Sequence, residues 1–155
     1  GKEVTWIPSY GPEMRGGTAH CFVVISDEPI GAPVVAHPKI AVVFNKPSFL
    51  KYEPLVAAGG ALIVNSSLVA EVPSRTDLTT LRVPATEIAE RLGNPRMTNM
   101  VLLGALLGIR DLVSYDVLHT SLAEHIPAHH RNLLDLNYQA LSEGYGVAES
   151  RVIAG

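Results

Sequence analysis

Cysteine is almost missing from this sequence. The 155 residues include one cysteine, Cys21, so an intrachain disulfide and an intrachain cysteine-based metal or iron–sulfur site are both excluded. Cys21 lies in an apolar segment with the character of a β-strand. We expect it to be a small, buried core residue.

Charged residues are also scarce, and the basic residues form no cluster. They make up 17% of the chain, whose formal net charge is −3. Neutralising phosphates requires clustered Lys or Arg, so we expect no nucleic-acid partner. The apolar content of 47% excludes a disordered chain and fits one globular domain spanning residues 1–155.

A long hydrophobic run is absent as well. The longest apolar helix candidate, Met97 to Ile109, is about a dozen residues long, which is too short to span a bilayer. No signal peptide opens the chain. We therefore expect a cytoplasmic protein with no membrane partner. Because the first residue is Gly1 and a strand follows almost at once, we also expect a fragment or a processed chain.

Several apolar segments that are present predict β-strands in the first half of the chain. They are short or bounded by turn residues, as buried strands are. The segments are Val4–Ile7, Ala19–Ile25, Lys39–Phe44, Ala61–Asn65 and Leu81–Val83. Near-continuous apolar strands that alternate with helices favour a parallel sheet covered on both faces. The predicted fold class is therefore α/β, a layered domain with a mostly parallel sheet flanked by helices.

The second half of the chain predicts helices with recognisable ends. Pro84 suits the first position of one helix, and Thr98 or Asn99 can cap a helix that runs to Ile109. Ser114 is expected to cap Tyr115–His125. A last helix is expected from about Ala128 to Ser142, with Gly144 as the residue that follows its end.

Two glycines interrupt an apolar helix at a spacing of four. Gly104 and Gly108 each cost roughly 1 kcal/mol relative to alanine in a helix interior. Such a cost indicates that another backbone approaches this helix face closely. We expect the helix to pack tightly on the sheet there.

The segment Ser9–Gly17 is the most informative part of the chain. It follows one apolar strand and precedes another, and three glycines and a proline predict a shaped loop. Arg15 could pair with a phosphate or a carboxylate, or equally with Glu13. Gly16 and Gly17 could offer backbone N–H groups to an anion. The residues alone leave a binding loop and a purely structural turn equally open.

Two other groups of residues invite a chemical role. Asn65 and Ser66 end a predicted strand, at the sheet edge where α/β proteins bind ligands, but a turn stabilised by these side chains is the simpler interpretation. Asn45 precedes a short predicted helix. Four histidines lie between His119 and His130, yet their spacing matches no metal motif, and solvated side chains around a turn are favoured.

Six segments of the chain resemble a known family. Val4–Gly17 contains the pattern Ser-Tyr-Gly-Pro-Glu-x-Arg-Gly-Gly, and Val23–Ile30, Phe44–Ser48, Gly59–Ser66, Pro84–Ala89 and Asn99–Ala105 continue the match. Together they resemble the gamma subunit of 2-oxoacid:ferredoxin oxidoreductases. The fold implied is that of domain III of the multidomain pyruvate:ferredoxin enzymes. The motif is more similar to the 2-oxoglutarate and 2-oxoisovalerate branches than to the pyruvate branch.

The resemblance implies that this chain contributes no catalytic residue. These enzymes oxidatively decarboxylate a 2-oxoacid to an acyl-CoA and pass the electrons to ferredoxin. Thiamine diphosphate and iron–sulfur clusters are held by the alpha, beta and cluster-binding subunits. The gamma unit assembles the complex and helps to close the coenzyme A site, and it binds no metal. The residues implied for docking and for the coenzyme A side are Tyr10, Gly11, Pro12, Glu13, Arg15, Gly16 and Gly17, with Asn45, Asn65 and Ser66 as secondary candidates.

The chain departs from the family pattern at its start. Family members open with a strand, a glycine-rich loop and a helix that have no counterpart before Val4, so an N-terminally truncated domain is expected. An isolated fragment of this kind should be less stable or should form a homo-oligomer. The alternative hypothesis is a stand-alone module that binds a small anionic ligand such as coenzyme A through the loop.

Overall fold

The structure, a computed structural model, describes residues 1–10 and 19–152. It divides into two compact units, Gly1–Pro38 and Lys39–Gly155. The first unit is built on an antiparallel pair of strands, β1 (Glu3–Tyr10) and β2 (Ala19–Ser26). The register runs from Glu3 opposite Ser26 to Tyr10 opposite Ala19. Strand β1 therefore extends three residues beyond the predicted end at Ile7.

The apolar run in β2 does not form a strand covered on both faces. Its side chains alternate between exposed and half-buried from Ala19 to Ser26, as in an antiparallel strand with one open face. Cys21 lies opposite Pro8 and is exposed. The expectation of a buried Cys21 is therefore wrong, because its position in the alternation places it on the open face.

The second unit contains the parallel sheet that the sequence predicts. Strands β3 (Ile40–Val43), β4 (Ala61–Asn65) and β5 (Thr79–Val83) are parallel and lie in the order β3-β4-β5. Each residue of the central strand β4 is buried. Its alternate side chains enter two core clusters: Ala61 and Ile63 enter one, and Leu62 and Val64 enter the other. The sheet is thus covered on both faces.

Within the residues that the structure describes, five helices accompany this sheet. They are α1 (Lys46–Tyr52), α2 (Ala85–Arg91), α3 (Thr98–Ile109), α4 (Tyr115–His125) and α5 (Leu134–Val152). Short 3-10 turns cover Glu53–Leu55, Pro95–Met97 and Ala128–Leu133. In the described part of the chain, no helix combines the length and the apolar character needed to cross a bilayer.

Three of the four helix-start predictions need correction, including that of the last helix, which begins at Leu134 and not at about Ala128. Ser114 caps α4 as predicted, because its hydroxyl accepts a hydrogen bond from the Val117 amide at 3.2 Å. Thr98 is instead the first residue of α3, and its hydroxyl donates to the Pro95 carbonyl at 2.8 Å. Pro84 is the residue before α2 and not its first residue.

The glycines of α3 face a neighbouring backbone, and that backbone is α5. A Cβ built on Gly104 would lie 2.0 Å from the Leu141 carbonyl oxygen, and one built on Gly108 would lie 2.4 Å from the Ala148 Cβ. The close approach is confirmed, but the partner is a helix and not the sheet. Gly144 lies within α5, where a Cβ would meet the Val101 carbonyl oxygen at 1.9 Å. Its prediction as a helix-terminating residue is therefore wrong.

Candidate functional site

Most of the loop identified from the sequence lies outside the described residues. The candidate residues outside the described part are Gly11, Pro12, Glu13, Arg15, Gly16 and Gly17. Tyr10 is the last residue of β1, and its cross-strand partner Ala19 is the first residue of β2. The hairpin therefore holds the two chain ends that the loop joins next to each other.

The secondary candidates lie together at the carboxyl edge of the parallel sheet. Asn65, the last residue of β4, is fully buried. Its amide nitrogen donates to the Phe44 carbonyl at 3.1 Å and to the Thr86 hydroxyl at 2.9 Å. Its amide oxygen accepts a longer bond, of 3.4 Å, from the Thr86 backbone N–H. Asn65 thus joins the ends of β3 and β4 to the start of α2, and it offers little to a ligand.

Asn45 also has a structural role. Its side-chain oxygen accepts a hydrogen bond from the Ser48 amide at 3.0 Å and so caps α1. Ser66 follows Asn65, and its backbone N–H donates to the Val83 carbonyl at 2.8 Å. Its side chain is half-buried.

An ion pair marks the same edge of the sheet. The Lys46 ammonium group contacts the Glu71 carboxylate. The hydrogen bond from Lys46 lowers the pKa of Glu71 below its usual range. A carboxylate with a lowered pKa stabilises the fold above its ordinary pKa, and this contribution is lost as the pH falls through the lowered value. The two charges of this pair compensate each other, and the nearby Arg82 guanidinium donates to the Glu71 and Val69 carbonyls.

The second unit contains a buried carboxylate that no sequence pattern indicates. Glu53 is 8% exposed. Its Oε1 accepts hydrogen bonds from the Ser74 amide at 2.6 Å, the Ser74 hydroxyl at 3.2 Å and the Arg75 amide at 3.2 Å. The Arg75 guanidinium pairs with Asp77, and its hydrogen bond lowers the pKa of Asp77. Glu53 therefore fixes the segment between β4 and β5.

The histidines between 119 and 130 do not converge. The His119 ring stacks on Tyr138 with centroids 3.6 Å apart, and the His125 ring contacts the Ser121 carbonyl on its own helix. Within residues 1–10 and 19–152, no three His, Cys, Asp or Glu side chains lie close enough together to hold a metal ion. His119 instead packs α4 against α5.

Asn65→Ala is expected to lower the free energy of unfolding by about 2–3 kcal/mol, because it removes buried hydrogen bonds that join three elements. Urea unfolding at constant slope measures this change. The matched control is Asn45→Ala, which removes only an exposed helix cap and should cost about 1 kcal/mol. Equal losses for the two variants would contradict the structural role of Asn65.

Known proteins resemble this chain in sequence and in fold. The model of the family described as pyruvate ferredoxin/flavodoxin oxidoreductase matches residues 1–147. The 2-oxoglutarate synthase subunit KorC of Methanocaldococcus jannaschii is 37% identical over 150 residues, which are 96% of this chain and 79% of KorC. The ketoisovalerate oxidoreductase subunit VorA of Methanothermobacter marburgensis is 38% identical over 109 residues, which are 70% of this chain but 23% of VorA.

A solved structure agrees with these sequence matches. The gamma subunit of a keto/oxoacid ferredoxin oxidoreductase from Geobacter sulfurreducens superposes with a TM-score of 0.78 at 24% identity, covering 96% of this chain and 82% of that subunit. The resemblance found in the sequence and the predicted α/β fold are both confirmed. The chain belongs to the pyruvate ferredoxin/flavodoxin oxidoreductase family, in which it corresponds to the gamma-type subunits.

Proposed function

We propose that this chain is the gamma component of a cytoplasmic 2-oxoacid:ferredoxin oxidoreductase of the 2-oxoglutarate or 2-oxoisovalerate type. The complex would oxidatively decarboxylate its 2-oxoacid to an acyl-CoA and transfer the electrons to ferredoxin. The observation that carries this proposal is the 37% identity to KorC over 96% of the chain. Identity of this extent, together with the shared gamma-subunit fold, supports a shared place in the complex.

The electron carriers and the thiamine cofactor would belong to other subunits. An iron–sulfur cluster is held by several cysteine ligands, and this chain has one cysteine. The partners proposed are therefore the alpha, beta and cluster-binding subunits. Thiamine diphosphate and the clusters would carry out the chemistry there. This chain would contribute a surface that docks on its partner subunits.

The proposed contribution of this chain lies in the segment Tyr10–Gly17, which would dock on a partner and close the coenzyme A side of the active site. Its support is the eight-residue antiparallel register of β1 and β2, which reaches Tyr10 and Ala19. Such a hairpin presents a loop from a defined base. Asn45, Asn65 and Ser66 would be the secondary candidates at the carboxyl edge of the parallel sheet, where Asn45 and Asn65 also make structural hydrogen bonds.

The test is reconstitution from separately produced subunits. We expect the tagged chain to co-purify with thiamine- and cluster-containing subunits and to raise their 2-oxoacid- and coenzyme A-dependent reduction of ferredoxin. Arg15→Ala should lower turnover or assembly while the circular dichroism of the chain stays unchanged. Recovery of the wild-type chain without these subunits would contradict the proposal.

Calorimetry with coenzyme A on the isolated chain separates the alternative. A subunit that closes a site made by its partners should show no binding alone. Tight binding without partners would instead indicate an independent anion-binding module.

A further inference from the structure

The connection between β4 and β5 contains no helix. Parallel strands are usually joined by a crossover helix, but residues 66–78, all of which the structure describes, join these two strands without one. Within this described connection, Val69 alone is buried. Leu68 is 57% exposed and Val72 is 80% exposed. Polar contacts therefore hold most of the connection in place.

Residues 70–73 lie between two anchored positions of this connection. Before them, Val69 belongs to the core cluster that contains Leu62 and Val64. After them, the Ser74 amide donates a hydrogen bond to the buried Glu53 carboxylate at 2.6 Å. We call residues 70–73 the strap. Neither anchor is made by a side chain of the strap, so the strap can leave the surface while both anchors stay in place.

Glu71 attaches the strap to two basic side chains. Its carboxylate contacts the Lys46 ammonium group, and its backbone carbonyl accepts a hydrogen bond from the Arg82 guanidinium. A second nitrogen of the same guanidinium donates to the Val69 carbonyl at 2.7 Å. One short stretch of chain therefore supplies acceptors to both cations.

Both cations lie at the carboxyl edge of the parallel sheet. Lys46 is the first residue of α1 and follows the end of β3 at Val43, and Arg82 is the last residue but one of β5. Ligands of open parallel sheets bind outside the carboxyl ends of the strands. The Glu71 carboxylate thus occupies, on Lys46, the position that an anionic ligand of this edge would take.

The contact between Glu71 and Lys46 is of a kind that another anion can displace. The Lys46 side chain is 60% exposed and the Glu71 side chain is 28% exposed. Ion pairs near the surface are weak, because water and salt screen their charges. The hydrogen bond from Lys46 lowers the pKa of Glu71, so this carboxylate is ionised at neutral pH and competes with any anion there.

We propose that the strap is an autoinhibitory contact, in which Glu71 occupies Lys46 and Arg82 until an anionic group at the carboxyl edge of the sheet replaces it. This inference rests on the proposed function, in which that edge lies on the coenzyme A side. Coenzyme A carries phosphate groups, and phosphate competes with a carboxylate for the same charged donors. Displacement releases the strap between Val69 and Ser74. The closed strap also gives a physical reason to expect that the isolated chain binds no coenzyme A.

NMR spectroscopy of the ¹⁵N-labelled chain tests the proposal, with inorganic phosphate as the probe and sodium chloride keeping the ionic strength constant. In the wild type, heteronuclear NOE values should show the amides of Glu71 and Val72 to be as rigid as that of Ser74. Glu71→Gln keeps the size of the side chain and removes its charge. In this variant the amides of residues 71 and 72 should become mobile while that of Ser74 stays rigid. Phosphate, followed by amide shifts at the carboxyl edge, should bind about three- to fivefold more tightly than to the wild type, as expected when a surface ion pair no longer competes.

Two further variants separate a competing carboxylate from a simple loss of the ion pair. Lys46→Met breaks the same pair from the other side, so it should also make the strap mobile, but it should weaken phosphate binding instead of strengthening it. Glu90→Gln removes the same charge at an exposed position of α2. It should match the wild type in strap rigidity and in phosphate binding.

The outcomes separate this inference from the proposed function. A strap that stays rigid in Glu71→Gln, or phosphate binding equal to that of the wild type, would overturn the autoinhibitory contact and leave the gamma role intact. Equally tightened binding in Glu90→Gln would assign the effect to net charge and would overturn it as well. These measurements need no partner subunit. A failed reconstitution would therefore overturn the proposed function, and with it coenzyme A as the displacing anion, whatever the strap does.

Discussion

Gly144→Ala is expected to destabilise the chain by about 3 kcal/mol or more, although alanine is the better helix former. Gly144 lies inside α5, where the helix crosses α3. A Cβ there would lie 1.9 Å from the Val101 carbonyl oxygen and 3.0 Å from the Ala105 amide nitrogen. Both are backbone atoms, so no rotamer change can relieve the clash. The two helices would have to separate, and buried side chains such as Leu102 and Leu141 would lose contacts.

The matched control lies two residues away on the same helix. Gly146 has no atom within 4 Å of a built Cβ. Gly146→Ala should therefore raise the free energy of unfolding by up to about 1 kcal/mol through helix propensity alone. Urea unfolding of the two variants gives both values under one set of conditions. Midpoints that shift in the same direction would contradict the proposed role of the α3–α5 crossing.

Features that depend on neighbouring residues in the chain could be predicted from the sequence. Ser114 caps α4 because a serine side chain reaches an amide three residues ahead, and the bounds Tyr115–His125 agree. Strand β4 was predicted over Ala61–Asn65 because a strand covered on both faces is apolar at successive positions. In both cases the information lies within a few residues.

Features that depend on contacts between residues far apart in the chain could not be predicted from the sequence. Gly144 was expected to end a helix, since glycine does so often. What decides its role is Val101, which is far away in the sequence and close in space. Strand β2 was expected to be buried because its sequence is apolar. The antiparallel register with β1 shows instead that Cys21 and Val23 share an open face.

The candidate site divides in the same way. Asn45 could have been recognised as a cap, because Pro47 follows it in the first turn and Ser48 supplies the bonded amide. The role of Asn65 could not, since its partners Phe44 and Thr86 are each 21 residues away.

Glu53 was missed because nothing near it in sequence distinguishes it from a surface glutamate. Its hydrogen-bond donors, Ser74 and Arg75, are 21 and 22 residues away. A carboxylate that accepts several bonds at a partly buried site contributes more than a neutral acceptor would. Its removal would also leave the amides of Ser74 and Arg75 without the acceptor they now share.

Glu53→Ala is accordingly expected to lower the free energy of unfolding by about 1.5–3 kcal/mol, since it removes the charge-assisted hydrogen bonds of a buried carboxylate. Glu53→Gln should cost less, because the side-chain oxygen can still accept from the Ser74 amide. The control Glu90→Ala, at an exposed position of α2, should stay within about 0.5 kcal/mol of the wild type. Hydrogen exchange adds a local readout: in Glu53→Ala the amides of Ser74 and Arg75 should lose protection, while those of β4 keep theirs. Unchanged protection at Ser74 and Arg75 would show that the segment between β4 and β5 is held by other contacts. In that case the Arg75 guanidinium, which also donates to the Val56 carbonyl, would be the residue that anchors it.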